Sequence, residues 1–306
     1  MSVPDIEALR QWIGRTETQV DHVTVPAVQR LAALLDRDDP LPRTGDILPI
    51  GWYSVLFPRV VRRSQVGRDG HPERGDFLPP VSLPRRMFAG RRTWFHAPLR
   101  IGDEAEKRAS IKDVTAKQGR SGAMVFVTVR AEIHSPRGLA IVEEQDIVYR
   151  DGVSGRESGE RTLAAPAAAS VPAASNPSAP DAVWRKPFTA DELTLFRYSA
   201  VTFNGHRIHY DRPYTTGVEG YPALVVNGGL ATLLLYELAR ENVVRPIVEL
   251  QSRNLRPMFV DQPLWLEGAP TPEGGAWLRV VDPTGAATLA AEARFEAEAQ
   301  AGSPPA

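Results

Sequence analysis

The sequence predicts an α+β protein of two fused units, in each of which a long helix is wrapped by an antiparallel sheet. Three observations predict it. Near the middle of the 306-residue chain, SGRESGERTLAAPAAASVPAASNPSAP carries Ala, Pro, Ser and Gly with almost no large apolar residue, the composition of a linker. On either side the order of elements is the same, helical material first and strands after. One helix-forming stretch in the second half is apolar on nearly every side, and only a curved sheet closing around it would cover it. The expected division is a first unit over residues 1–152, a linker over 153–181 and a second unit over 182–306.

In the first half, Val28, Leu31, Ala32 and Leu35 fall at helical spacing, with Thr24 upstream and Pro26 in the first turn, so a helix is expected over about 26–36. Val125, Val127, Val129, Ala131 and Ile133 alternate with Met124, Phe126, Thr128, Arg130 and Glu132, the pattern of a strand with one apolar face. Ser135-Pro136-Arg137-Gly138 turns the chain, and residues 139–149 return. In the second half, GGLATLLLYELAREN over 228–242 is the buried helix, and strands are expected at about 246–256, 262–268, 275–282 and 287–298. Pro98-Leu99-Arg100-Ile101-Gly102-Asp103 and Pro257-Met258-Phe259-Val260-Asp261 each stand ahead of such a series, which reads as a degenerate internal duplication.

Composition narrows the chemistry. Hydrophobic residues make up 42% of the chain, enough for a core without covalent staples. A formal net charge of -1 gives no global field for nucleic acid or an anionic membrane, and no apolar run is long enough to cross a bilayer. The absence of cysteine removes thiolate catalysis, disulfides and cysteine-ligated metals. The amino terminus is charged and amphipathic rather than secretory, and a cytoplasmic enzyme is the expectation.

Polar groups concentrate after Phe196, in FRYSAVTFNGHRIHYDRPYTTGVEGYPALVVNGGLATLLLYEL. Asn204, His206, His209 and Asp211 fall close together, and Asn227-Gly228-Gly229 opens the buried helix. These residue types suit proton transfer beside a thioester carbonyl. That reaction needs a base of near-neutral pKa, which His209 supplies, and donors for an enolate oxygen, which the free N–H groups at the helix N-terminus supply. Gly228 and Gly229 carry no side chain to keep a thioester from the backbone.

The same segment resembles the signature of MaoC-like (R)-specific enoyl-CoA hydratases, in which Asp, Asn and His are followed by His-Gly at the central helix of a hot-dog fold. His209 matches the catalytic His and Gly228 the helix-start Gly. Asn204 stands at the Asp position, His206 at the Asn position and Asn227 at the His before Gly. Asn cannot take a proton, so Asn204 is expected to orient water while His209 acts alone as base. The wording TFNGHRIHYD is similar to a subfamily of mesaconyl-C4-CoA and itaconyl-CoA hydratases and mitochondrial type-2 3-hydroxyacyl-thioester dehydratases. DGHPERGDFLPPVSLPRRMFAG, APLRIGD, KQGRSGAMVFVTV and EEQDIVYR resemble its FAS1-like dehydratase domain. The resemblance implies a double hot-dog fold whose second unit is catalytic and whose first is a degenerate copy completing the acyl pocket. It implies no cofactor, an acyl-CoA thioester as partner, and a homodimer as an assembly open to it. The expected reaction is reversible hydration of mesaconyl-CoA or itaconyl-CoA to citramalyl-CoA.

Alternatives stay open. Dehydration of straight-chain 3-hydroxyacyl thioesters lies within the same class; an acyl-CoA thioesterase or a non-catalytic acyl-binding module lies outside it. A thioesterase would want an acid on the central helix, where Glu237 stands far from the glycine pair. Arg85, Arg86, Arg91 and Arg92 bracket an apolar Met87-Phe88-Ala89-Gly90. Some of these four, Arg86 first and then Arg85, are the candidates to bind CoA phosphates or an acyl carboxylate, with Arg253 and Arg256 a second pair. His206, Asn227 and Gly229 complete the expected substrate contacts. His206, His209 and Asp211 also offer a metal reading, disfavoured because the reaction needs no metal. Gly67-Arg68-Asp69-Gly70-His71 reads as a turn, and no glycine-rich nucleotide motif stands in a strand-to-helix setting.

Overall fold

A computed structural model describes residues 5–119, 122–150 and 182–297; the linker expected at 153–181 lies outside them. In chain order the first half contains α1 (Ile6–Arg10), β1 (Thr16–His22), α2 (Val25–Leu34), β2 (Arg85–Phe95), β3 (Glu104–Gly119), β4 (Gly122–Ser135) and β5 (Gly138–Arg150). The second contains β6 (Trp184–Thr189), α3 (Glu192–Val201), α4 (Arg212–Gly217), α5 (Gly228–Asn242), β7 (Ile247–Asn254), β8 (Pro263–Pro270), β9 (Gly275–Val281) and β10 (Ala287–Phe295).

The ten strands form one antiparallel sheet in the order β1-β3-β4-β5-β2-β7-β10-β9-β8-β6. That order reads alike from both ends once β1 is matched to β6, β2 to β7, and so on to β5 and β10. The halves therefore share one topology and join edge to edge where β2 pairs with β7, from Gly90↔Arg253 to Trp94↔Glu249. Joining there removes two free strand edges.

Backbone bonds fix the equivalence residue by residue. Leu48 N–H donates to Leu99 O and Val226 N–H to Met258 O, both at 2.8 Å. Ile101 N–H donates to Asp46 O at 2.9 Å and Val260 N–H to Leu224 O at 3.0 Å. The isolated bridges Ile47↔Arg100 and Val225↔Phe259 repeat the match. Both segments singled out ahead of the strand series thus do the same structural work.

This equivalence corrects one expectation. The helix expected at 26–36 is present as α2, capped by Thr24, whose hydroxyl accepts from Ala27 N, but it corresponds to α3 and not to the buried central helix. Counting from Leu48 and Val226, Gly51 stands where Gly229 stands, and the counterpart of α5 is a single 3-10 turn, Trp52–Val55. The chain leaves it at Leu56, which is extended, and Pro58, which brings no N–H to continue the ladder, keeps it from resuming. The double hot-dog sheet is complete, but its first unit keeps one turn of the central helix. Further along, Phe77, Val81 and Leu83 pack against the apolar faces of β3, β4 and β5.

Helix α5 has the expected bounds and is buried along most of its length, among them Leu230, Leu233, Leu235 and Tyr236. Its neighbours come from both halves: Leu31, Trp52, Ile141, Leu195, Leu250, Leu266, Leu278 and Leu289 share its core. The expected inward faces of β4 and β10 hold, with Val125, Val127, Ala131 and Ile133 buried on one, and Leu289, Ala291, Ala293 and Phe295 on the other. Leu233 lies at the centre of this packing. Leu233→Ala is expected to lower unfolding free energy by about 2–5 kcal/mol, read as a shifted urea midpoint at constant slope.

Candidate active site

The site is built around the N-terminus of α5. Ala231 N–H donates the first helical bond, to Asn227 O at 3.1 Å, so the N–H groups of Gly228, Gly229 and Leu230 have no acceptor within the helix. They stand at its positive end. Asn227, the N-cap, makes no side-chain cap. It is buried, and neither its Oδ1 nor its Nδ2 has a partner. The glycine pair is fixed by packing. A Cβ on Gly228 would lie 2.9 Å from Asn254 Oδ1, and one on Gly229 2.5 Å from the Tyr198 hydroxyl.

His209 ends the 3-10 turn Arg207–His209. Its Nδ1 lies 2.7 Å from Val225 O. A carbonyl only accepts, so Nδ1 carries the proton and Nε2 keeps its lone pair. Val225 is itself held by its N–H bond to Ile208 O at 2.9 Å, which sets the imidazole against the start of α5. Burial pushes the His209 pKa down to about 4, the bond to Val225 opposing it in part. The near-neutral pKa expected of His209 is therefore not what burial gives, and the ring is neutral at physiological pH.

A cavity of about 460 Å³ opens here, lined by both halves of the chain. His209, His206, Asn204, Asn227, Gly228 and Gly229 all line it. Asn204 Oδ1 accepts from His206 N–H at 3.0 Å, which braces the loop and leaves the Asn204 Nδ2 as the available donor. The His206 ring lies 5.4 Å from that of His209, edge to face, and 4.1 Å from that of His71. Burial pushes His206 down to about 2, with His209 and Arg86 adding to the effect, and burial likewise lowers His71.

The arginines divide. Arg85 lines the cavity but is paired with Glu219, Nε to Oε2 at 3.3 Å, and lies over the Tyr221 ring. Arg86 also lines it, beside His71 and His206, and burial lowers its pKa. Arg256 lines it as well. Arg253 does not: alternate β7 residues Ser252 and Asn254 are the buried ones, so Arg253 belongs to the other face. Asp211 is not brought to the histidines as a ligand. It caps α4, accepting from Tyr214 N–H at 2.9 Å, and pairs with Arg207. Among the described residues, the group at ligand spacing is instead Asp69, His71 and His206.

Polar cavity residues that the sequence does not assign to the site include His71, Tyr198 and Asn254, while Arg91 figures there only as one of four bracketing arginines. His71 comes from the turn read as purely structural. That turn docks on the second unit, where Arg207 N–H donates to Asp69 O at 2.9 Å. A Cβ on Gly70, which has a φ of +88°, would fall 1.9 Å from Gly205 O. The two glycines let the loops touch, and that contact carries His71 onto His206.

The sequence matches the hydroxyacyl-thioester dehydratase type 2 family over residues 51–260, a span that includes the cavity-lining residues. The chain belongs to that family. This family member is 44% identical to the mesaconyl-C(4)-CoA hydratase of Chloroflexus aurantiacus over 280 residues, 92% of this chain and 95% of that one. It is 28% identical to the mitochondrial type 2 hydroxyacyl-thioester dehydratase of Schizosaccharomyces pombe over 240 residues, 70% and 75% of the respective chains. Among solved structures, a Mycobacterium tuberculosis protein described as having a double hotdog fold superposes with a TM-score of 0.56 at 14% identity, covering 92% of this chain and 95% of that one. The family is one of hydratases and dehydratases, and this member is an enzyme of that class.

Two outcomes follow from the geometry. Because the base works only when neutral, kcat/KM is expected to hold as pH falls through the 6.5 of ordinary imidazole and to decline only near pH 4; a limb at 6.5 would mean that His209 titrates in open water. Gly229→Ala should abolish turnover by driving a methyl into the Tyr198 hydroxyl. Combining it with Tyr198→Phe, which removes that oxygen, should restore part of the rate.

Proposed function

We propose that this enzyme adds water reversibly across the double bond of a short enoyl-CoA bearing a second carboxylate, with mesaconyl-C4-CoA as favoured substrate and citramalyl-CoA as product. Itaconyl-CoA is a further candidate. The observation that carries the proposal is the meeting, in one cavity, of a neutral His209 with a free Nε2 and the unpaired N–H groups that open α5. Likeness to the mesaconyl-C(4)-CoA hydratase over nearly the whole chain supports the substrate.

Nε2 takes a proton from water as its oxygen attacks the β carbon. The electron pair moves through the α carbon to the thioester oxygen, where the Gly228 and Gly229 N–H groups stabilise it. The proton then passes from His209 to the α carbon, and the base is regenerated. His206 and Asn204 hold the water, and Gly228 lets the thioester approach the helix. The second unit carries this chemistry and the first completes the pocket, in a cytoplasmic enzyme working without a cofactor.

Thioester hydrolysis fits less well. Glu237 lies away from the cavity, its carboxylate bound by Arg37, Arg240 and the Trp52 indole. Purified protein incubated with enoyl-CoAs should give products heavier by one water and no free CoA; release of CoA would favour a thioesterase, and no change a binding module. His209→Ala should remove nearly all hydration from a folded protein, and Asn204→Ala should slow it by roughly 10²–10³-fold.

A further inference from the structure

Strand β2 contains a register shift between Phe88 and Gly90. Before it Arg86 pairs with Tyr149 and Phe88 with Ile147; after it Arg91 pairs with Gln145 and Thr93 with Glu143. The shift puts Arg86 and Arg91 on the same face, although odd and even residues of an unbroken strand point apart. Arg92, on the other face, is spent on Glu144 and Asp146.

Arg91 lines the cavity, and its side chain keeps only 16% exposure. Its Nε lies 3.1 Å from Glu143 Oε2, which also accepts from the Tyr53 hydroxyl at 2.5 Å. Glu143 thus pairs with the guanidinium by charge, although Nε makes no aligned hydrogen bond. Among the described residues, the terminal nitrogens make no hydrogen bond. Around the same floor, the Ser54 hydroxyl, both polar atoms of the Asn227 amide and the hydroxyl of Ser252, which pairs across the strands with Arg91, are buried without partners. Buried polar groups are nearly always satisfied. Ser54 and Asn227 line the same cavity as Arg91, and with Ser252 they present polar groups that the protein itself does not answer.

We propose that Arg91 grips the free carboxylate of the acyl chain and thereby selects short dicarboxylic mono-thioesters, an inference that rests on the hydratase reading. Two parallel N–H bonds from a guanidinium match a carboxylate. The placement suits the acyl end: Arg91 and Tyr198 line the same cavity as Gly228 and Gly229, and the Tyr198 hydroxyl abuts Gly229, so a thioester seated at the start of α5 shares its cavity with the guanidinium. CoA phosphates lie a pantetheine arm away and need cations outside this floor. The expectation that Arg86, or failing that Arg85, makes this contact is thereby revised, since Arg85 is taken by Glu219 and Arg86 stands across from Tyr149 on the far side of the register shift.

Calorimetry with two unreactive saturated thioesters tests this apart from turnover. 3-Carboxybutyryl-CoA is the reduced form of mesaconyl-C4-CoA; isovaleryl-CoA has a methyl where the first has its carboxylate. Wild type should bind the carboxylated ligand at least about 30-fold more tightly. R91M should erase that difference while leaving affinity for isovaleryl-CoA near its wild-type value. Because R91M strands the Glu143 charge, R91M/E143Q provides the same test with the buried pair removed. No preference in wild type, a preference that survives in R91M/E143Q, or equal loss for both ligands would each overturn the assignment. A preference that depends on Arg91 in a protein that hydrates no enoyl-CoA would overturn the reaction and leave the carboxylate site standing.

Discussion

Helix α5 must be buried on all sides while its first N–H groups go without helical partners. Sheet strands, α3 and the 3-10 turn at Trp52 close around its flanks, because an apolar face that broad costs too much in water. Its N-terminus cannot be closed in the same way without a capping side chain, and Asn227 does not provide one. The chain leaves those donors facing a cavity, and His209, the proposed base, is placed by a bond to Val225, two residues ahead of that cap. Fold and chemistry therefore share one constraint.

The seam between β2 and β7 distributes the labour. Residues from the second unit supply the proposed base, the helix N-terminus and the bracing asparagine. Across the seam, the first unit supplies Arg86, Arg91 and His71, none of which moves a proton in the scheme above. That division follows from the exit of the chain at Leu56 and Pro58: by ending the first central helix after one turn, it removes a rival set of helix donors, and part of the sheet is covered by the Phe77–Leu83 region instead.

Much of this was legible because it depends on short-range pattern. The bounds of α5, the alternation along β4 and β10 and the crowding of Asn204, His206 and His209 are all written in consecutive residues. The pairing of α2 with α3 was less legible, since apolar spacing reveals a helix but not its partner. Arg91 was legible only as one of four bracketing arginines, and for a different reason. Its facing depends on one extra residue between Phe88 and Gly90, and a bulge leaves no periodic signature. Likewise, the turn at Gly67–His71 reads correctly as a turn, but what its histidine meets is decided by a loop more than a hundred residues away.

Reducing one central helix to a turn also changes what duplication achieves. Two identical units back to back would carry two equivalent helix openings, each limited to the narrow space beside its own strands. This chain keeps one opening and gives the volume of the other to it. It gains a deeper, asymmetric recess in which the two ends of a substrate meet different walls. The enzyme forgoes a second turnover site per polypeptide, and in return it can read a chemical group that the reaction itself never touches.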